Sequence, residues 1–393
     1  MASLPIHLPA PDKGALLRSQ QLAQIIQQSI QKAGGWIDFA SFMQMALYAP
    51  GLGYYSGGAK KFGAGGDFVT APEISPLFAQ TLARQAAQVL LETQGDILEL
   101  GAGTGKLAAD LLLELKTLNQ LPSQYFILEV SDYLRQTQCE YTKKHLPEDL
   151  YQRLVWLETL PQNFTGLVLG NEVLDAIPAH LVVNTRQGLQ ARGVAFEGDF
   201  IWQDKLLSDG ALHHAVSTYD LPNGYLTEVC PAAAGLIASL ASMLMRGAIL
   251  MLDYGFGASE YYHPQRNLGT LMCHYQHYAH TNPLIYVGLQ DITAHVNFSQ
   301  IAQIANLDMP YEAHRISLAG YVNQAQFLIN CGILDVISQV SPDDLAIYAP
   351  MAAAAQKLLS PAEMGDLFKV IGFTKNIDEP LIGFKSGDKS YTL

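Results

Sequence analysis

The chain has 393 residues, 49% of them apolar, a formal net charge of -13 and four cysteines. That size allows one large domain or two with a substantial core, and Cys139, Cys230, Cys273 and Cys331 are scattered without a CxxC pair, which argues against a zinc knuckle or a disulfide framework and for a reducing compartment, the cytoplasm. The acidic balance argues against a broad electrostatic grip on nucleic acid, and MASLPIHLPAPDKG at the amino terminus has neither the apolar stretch of a signal peptide nor the arginine-rich character of a transit peptide.

In chain order, residues 15–33 place Leu22, Ile25, Ile26 and Ile30 at helical spacing and run into Gly34 and Gly35, so a helix is predicted to stop there. A second helix is predicted from Asp38, as its cap, to Leu47. Residues 51–75 are too rich in glycine for a regular element, and loops of that length are often functional or disordered. A helix is predicted over 76–92. From there the pattern alternates, with strands predicted at 96–100, 125–130, 153–157, 166–170 and 248–253 and helices between several of them. This is the pattern of an α/β protein with a mostly parallel sheet and helices on both faces.

Residues 180–205 break the alternation and read as an inserted antiparallel hairpin. The longest apolar stretch, 238–252, is interrupted by Arg246 and Gly247 and reads as a helix followed by a strand, so no membrane span is expected. Residues 300–372 read as mostly helical, with a final edge strand at 381–385. The expected organisation is a helical and glycine-rich extension over 1–75, a core over 76–299 carrying the hairpin, and a mainly helical part over 300–393 packed on the core.

The segment DILELGAGTGK at 96–106 carries the most chemistry. An apolar strand ends at Glu99 and Leu100, a turn passes through Gly101, Gly103 and Gly105, and a helix begins near Lys106. Glycine is wanted where a side chain would block a ligand or where the turn needs positive φ. A dinucleotide fingerprint needs glycine where Lys106 stands, and a phosphate-binding P-loop needs glycine and a hydroxyl where Leu100 and Leu107 stand. A GxGxG turn preceded by an acid suits a methyl donor, S-adenosylmethionine, with Glu99 near its positively charged end. An ordinary strand-to-helix turn with glycines for packing is the other reading.

Acids at the carboxyl ends of further strands carry weight because open parallel sheets bind ligands there. Glu129 follows about one βαβ unit later, as an acceptor for both ribose hydroxyls or as a solvated carboxylate. Asn171 follows the strand predicted at 166–170, where it could meet the adenine or the amino acid portion of the donor. Glu172 and Asp175, three apart, would share a helical face if a turn starts there. Asp253 ends AILMLDYG, Glu228 lies in LTEVCP, and Glu73 in TAPEIS reads equally as a site residue or as a cap for the next helix. His274, His277 and His280 have a spacing that twists around a helix instead of gathering on one side, so no metal site is expected. His295 reads as a core or substrate-lining residue, and the loop at 51–66 as a cover for the donor or an exposed connection.

Seven segments occur in order: GYY at 53–55, GDFVTAPEIS at 66–75, LELGAGTGKLAADLL at 98–112, LEVS at 128–131, GNEVLDAIPAH at 170–180, LDYG at 252–255 and DITAHVNF at 291–298. Together they resemble the MidA family of class I S-adenosylmethionine-dependent methyltransferases, over about residues 15–300. The resemblance implies a Rossmann-like fold and a donor site formed by Glu99, Gly101, Gly103, Gly105, Glu129, Asn171 and Glu172. Catalytic acids would come from Glu172, Asp175, Glu73 and Asp253. It also implies a protein partner, such as a respiratory complex subunit, as the source of an acceptor arginine, whose planar guanidinium pairs bidentately with acids. An assembly or chaperone-like binding protein and a small-molecule methyltransferase are the alternatives. Two positions depart from the family: Gly170, where it often has alanine, and Asn297, where it often has aspartate.

Overall fold

The strand predicted at 96–100 forms at the centre of an extended sheet. In the computed structural model, which describes residues 8–57, 70–306 and 315–393, this sheet comprises β1 (Asp96–Leu100), β2 (Tyr125–Leu128), β3 (Leu154–Leu157), β4 (Phe164–Asn171), β5 (Leu244–Phe256), β6 (Ser317–Asn323) and β7 (Phe368–Lys375). Their spatial order is β3-β2-β1-β4-β5-β7-β6, with the short strand Val296–Asn297 added on β5. Pairing is parallel from β3 to β5, while β7 runs antiparallel to both its neighbours. The chain leaves β1 towards β2 on one side and later returns to β4 on the other. The β1/β4 junction is therefore the switch point at which open α/β sheets open a crevice.

By compactness the chain divides into two units, and this sheet belongs to the one made of Val69–Leu174, Gly235–Ala258 and Val296–Leu393. Leu167, Val168 and Leu169 on β4 are all fully buried; successive strand residues point to opposite faces, so both faces of the sheet are covered. Helix α1 (Pro76–Thr93) starts with proline at its first position, is capped by Ser75, whose Oγ accepts the Leu77 N–H at 3.2 Å, and ends on Gln94 at φ 51°. Its Leu82, Ala86 and Val89 join Leu107, Leu111 and Leu115 of α2 (Lys106–Thr117) in the core against Ile97 and Leu250. Helix α3 (Asp132–His145) follows β2 and is capped by Ser131.

The carboxyl-terminal expectation needs correction, because 300–372 contributes strands as well as helices. A strand covered on both faces reads as a continuous apolar run, which periodicity cannot separate from a buried helix, and the centre of β7, Val370 to Phe373, is such a run. The edge strand expected at 381–385 is instead the 3-10 turn Ile382–Phe384.

The other unit comprises Met1–Phe68, Asp175–Ala234 and Ser259–His295. Its helices Lys13–Lys32 and Phe39–Tyr48 are capped by Asp12 and Asp38, the latter accepting the Ser41 N–H at 2.7 Å. Leu22, Ile26 and Ile30 are buried as the spacing predicts, whereas Ile25 is exposed. The hairpin predicted at 180–205 forms from His180–Thr185 and Gly188–Phe196, within an antiparallel sheet that also contains Phe200–Leu206, Leu226–Val229 and Ile37–Asp38. CHYQHYAH is a second hairpin, Met272–Tyr275 against Tyr278–His280, turned through Gln276 and His277 at φ 47° and 68°. Its histidines are therefore divided, His274 on one strand, His277 in the turn and His280 on the other, and do not lie on a helix.

Candidate active site

The glycine turn leaves β1 with three successive left-handed glycines, Gly101, Gly103 and Gly105, at φ 59°, 53° and 84°. Gly105 is also tightly packed: a Cβ there would lie 3.1 Å from Gln138 Cα and 3.2 Å from Thr142 Cγ2. Helix α2 then begins with no side-chain cap, which leaves the positive end of its dipole at the turn. Lys106 points back into its own helix and pairs with Asp110, so it is not the phosphate-reaching lysine of a P-loop.

Glu99 sits just before the turn with 2% of its surface exposed, and Tyr125 Oη donates to its Oε2 at 2.7 Å. Burial, reinforced by the charge of Glu129, pushes its pKa up to about 7 against the Tyr125 hydrogen bond. Glu129 lies one residue past β2, buried, and accepts the Ser131 N–H at 2.9 Å and Gln138 Nε2 at 2.8 Å. Burial raises its pKa while these hydrogen bonds hold it down. Both acids are thus at the carboxyl ends of neighbouring strands.

At the end of β4, Asn171 Nδ2 donates to Glu172 Oε1 at 3.1 Å, and Asn171 Oδ1 is buried with no hydrogen-bond partner among the described residues. Glu172 has φ 55°, a left-handed conformation in a residue that is not glycine, and its N–H donates to Leu252 O at 2.9 Å. Such strain persists only where surrounding structure enforces it. Asp253 supplies that enforcement: its Oδ2 accepts the N–H groups of Val173 at 3.1 Å and Leu174 at 2.8 Å, and its Oδ1 accepts that of Tyr254 at 2.8 Å.

Several sequence expectations change here. Asp253, expected as a catalytic acid, is fully buried, and its carboxylate accepts the backbone N–H groups of Val173, Leu174 and Tyr254. No helix forms over 172–177, so Glu172 and Asp175 do not share a helical face; Asp175 belongs to the other compact unit, where its carbonyl accepts the Ala294 N–H at 3.0 Å. Glu73 does not cap α1, since Ser75 does, and its Oε1 accepts Thr104 Oγ1 of the glycine turn at 2.5 Å. Glu228, also in the other unit, is 2% exposed and accepts the N–H groups of Thr270 at 2.8 Å and Leu271 at 3.0 Å, as a buried anchor for that loop.

The His295 N–H donates to Thr270 Oγ1 at 3.1 Å. Asn297 caps the helix Phe298–Ala302 through its Oδ1, a role an aspartate fills equally, which accounts for that departure from the family. The loop expected at 51–66 is described only to Gly57; residues 58–69, with the first four residues of GDFVTAPEIS, lie outside the described residues.

The sequence reading missed three participants: Thr104, Tyr125 and Gln138. Gln138 had a legible signal, because on α3 the buried positions are Leu134, Gln138 and Thr142, a stripe at i, i+4 and i+8 in which glutamine is out of place unless bonded.

A sheet of this strand order, with a glycine turn after β1 and carboxylates beyond β2 and β4, has the class I methyltransferase arrangement. The family model described as "Putative S-adenosyl-L-methionine-dependent methyltransferase" matches residues 81–316. The chain is 29% identical to zebrafish (Danio rerio) protein arginine methyltransferase NDUFAF7, mitochondrial, over 86% of this chain and 83% of that one. It is 28% identical to the human protein of the same name, over 86% and 80%. A crystal structure from Burkholderia thailandensis, bound to S-adenosyl-homocysteine, superimposes with a TM-score of 0.94 at 47% identity, covering 98% of this chain and 100% of that one. The chain belongs to this MidA-like family of S-adenosylmethionine-dependent methyltransferases, and its cofactor is S-adenosylmethionine.

Proposed function

We propose that the methyl acceptor is an arginine on a protein partner, such as a respiratory complex subunit. The observation that carries this reading is Glu172, a carboxylate held at the end of β4 by a left-handed backbone that Asp253 fixes from behind. A small-molecule acceptor does not require a planar, bidentate acid, whereas a guanidinium pairs with one directly. The relatives named as protein arginine methyltransferases support the same acceptor. With its four cysteines present as thiols, we also propose a reducing compartment such as the cytoplasm, although the named relatives are mitochondrial.

In this reading the left-handed glycines let the backbone close on the donor. Glu129 accepts from the ribose, and Asn171 Oδ1, buried and unsatisfied in the chain itself, accepts from the donor's adenine or amino group. The bound donor supplies an electrophilic methyl on a cationic sulfur. Glu99 favours that positive charge, and Glu172, with Glu73 braced by Thr104, orients the guanidinium and takes up the proton its nitrogen sheds. Alignment and exclusion of water are the protein's main contributions.

Labelling tests the acceptor. Purified protein with methyl-tritiated S-adenosylmethionine and an extract of its own cells is expected to label a protein band whose hydrolysate contains methylated arginine. Label confined to small metabolites, or to lysine, removes the arginine reading while leaving the methyltransferase.

A further inference from the structure

Gln138 is the side chain on which three separate segments of the site converge. Its Nε2 donates to Glu129 Oε2 at 2.8 Å and to Gly103 O at 3.1 Å, and its Oε1 accepts Trp156 Nε1 at 3.0 Å. It is fully buried, and both of its N–H groups are used. One planar amide therefore spans the glycine turn and the acid beyond β2, and is itself held in register by β3. The close approach of α3 to the turn, which leaves a Cβ on Gly105 only tight contacts at 3.1–3.3 Å, fixes where that amide lies.

We propose that Gln138 is a positioning residue for the methyl donor: it locks the rotation of the Glu129 carboxylate so that its remaining lone pairs face the two ribose hydroxyls, and couples that orientation to the glycine turn. A carboxylate offers about four acceptor sites; Ser131 donates to Oε1 and Gln138 to Oε2, the Val130 N–H also acts on the carboxylate, and the ribose hydroxyls are left the sites these donors do not take. The terminal torsion of a glutamate is broad and two-fold, so without an anchor the carboxylate spreads over orientations that satisfy one hydroxyl or neither. Trp156 sets the polarity of the amide. With its indole N–H on Oε1, the Nε2 end must face Glu129; a flipped amide would point an oxygen at the carboxylate. The inference rests on Glu129 as the ribose acid, and the test separates the two.

The measurement is calorimetric affinity of the full-length protein for S-adenosylhomocysteine and for its 2′,3′-dideoxyribosyl analogue. Wild type is expected to prefer the ribose form by about 10- to 100-fold, the range for hydrogen bonds to a charged acceptor. In Gln138→Met, of similar length but without donors, that preference is expected to collapse to within about threefold. Trp156→Phe removes only the N–H that sets the amide's polarity, so it is expected to reduce the preference to an intermediate value and serves as the test if Gln138→Met does not fold. If Gln138→Met, or Trp156→Phe in its place, weakens both ligands alike and keeps the wild-type preference, Gln138 only fills the core and the proposal is overturned. If wild type itself shows no preference, the ribose reading of Glu129 fails first.

Discussion

The ends of β2 and β4 deliver an acid each to the carboxyl edge of one sheet, and they hold it by opposite means. Glu129 is fixed through its side chain, by the Ser131 N–H and the Gln138 amide. Glu172 is fixed through its backbone, at φ 55°, with the next two N–H groups tied to Asp253. Side-chain anchoring costs little strain and suits a contact that is the same in bound donor and transition state. Backbone strain costs stability and is retained where a reacting group must not relax. In the proposed reading, β2 serves binding and β4 serves chemistry.

The most damaging substitution is expected at the turn that serves both ends. Gly105→Val puts a β-branched residue at φ 84° against Gln138 Cα, backbone that cannot swing aside, so affinity for S-adenosylhomocysteine is expected to fall by more than about 100-fold in calorimetry. Unchanged affinity would remove the turn from the donor site. Glu99→Gln acts on stability next. The folded pKa of about 7 lies above the ordinary 4.5, so the penalty for burying the charge is absent below about pH 4.5, grows as pH rises and is complete above about pH 7. The donor-free variant is expected to gain about 3 kcal/mol in urea unfolding at pH 8 and nothing near pH 4, while binding the cationic donor more weakly. A gain independent of pH would contradict the burial argument.

Asp253→Asn then separates the two strand ends. The amide cannot accept on both sides, leaving at least one buried N–H without a partner, at about 2 kcal/mol in unfolding free energy. Because the loss falls beside Glu172 and leaves the Glu129 anchors in place, kcat is expected to drop while S-adenosylhomocysteine affinity holds within about threefold. Equal losses in both would erase the proposed division of labour.

How far the sequence could be read follows the same line. The turn was legible because its requirement, positive φ without side chains, is local, and the order of single residues at 100, 106 and 107 excluded its nearest imitators. Strands β1 to β5 were legible from apolar runs between turn signals. The roles of Asp253 and Glu73 were not, because a carboxylate at a strand end looks the same in sequence whether it faces a ligand or the N–H groups of a loop eighty residues away. Glu172 and Asp175 misled for a related reason: spacing of three implies a shared face only if the backbone is helical, and the tertiary hold of Asp253 put Glu172 in a left-handed turn. The strands of the carboxyl-terminal part were hidden by the absence of alternation in a doubly covered β7.

The smallest expected stability effect probes the strain itself. A residue with a Cβ in the left-handed region costs about 1–2 kcal/mol, and glycine returns part of that through its unfolded-state entropy, so Glu172→Gly is expected to stabilise the protein by about 0.5–1 kcal/mol. Glu172→Gln keeps the Cβ, the backbone conformation and an acceptor for Asn171, and is expected to leave stability unchanged. Both remove the charge, so both should lose methyl transfer by about 100-fold or more with donor affinity retained. A stabilised Glu172→Gly beside an unaltered Glu172→Gln, both inactive, would show strain maintained for a carboxylate's position. If Glu172→Gly is destabilised, the left-handed turn is built on contacts of the side chain, and β4 holds its acid in the same way as β2.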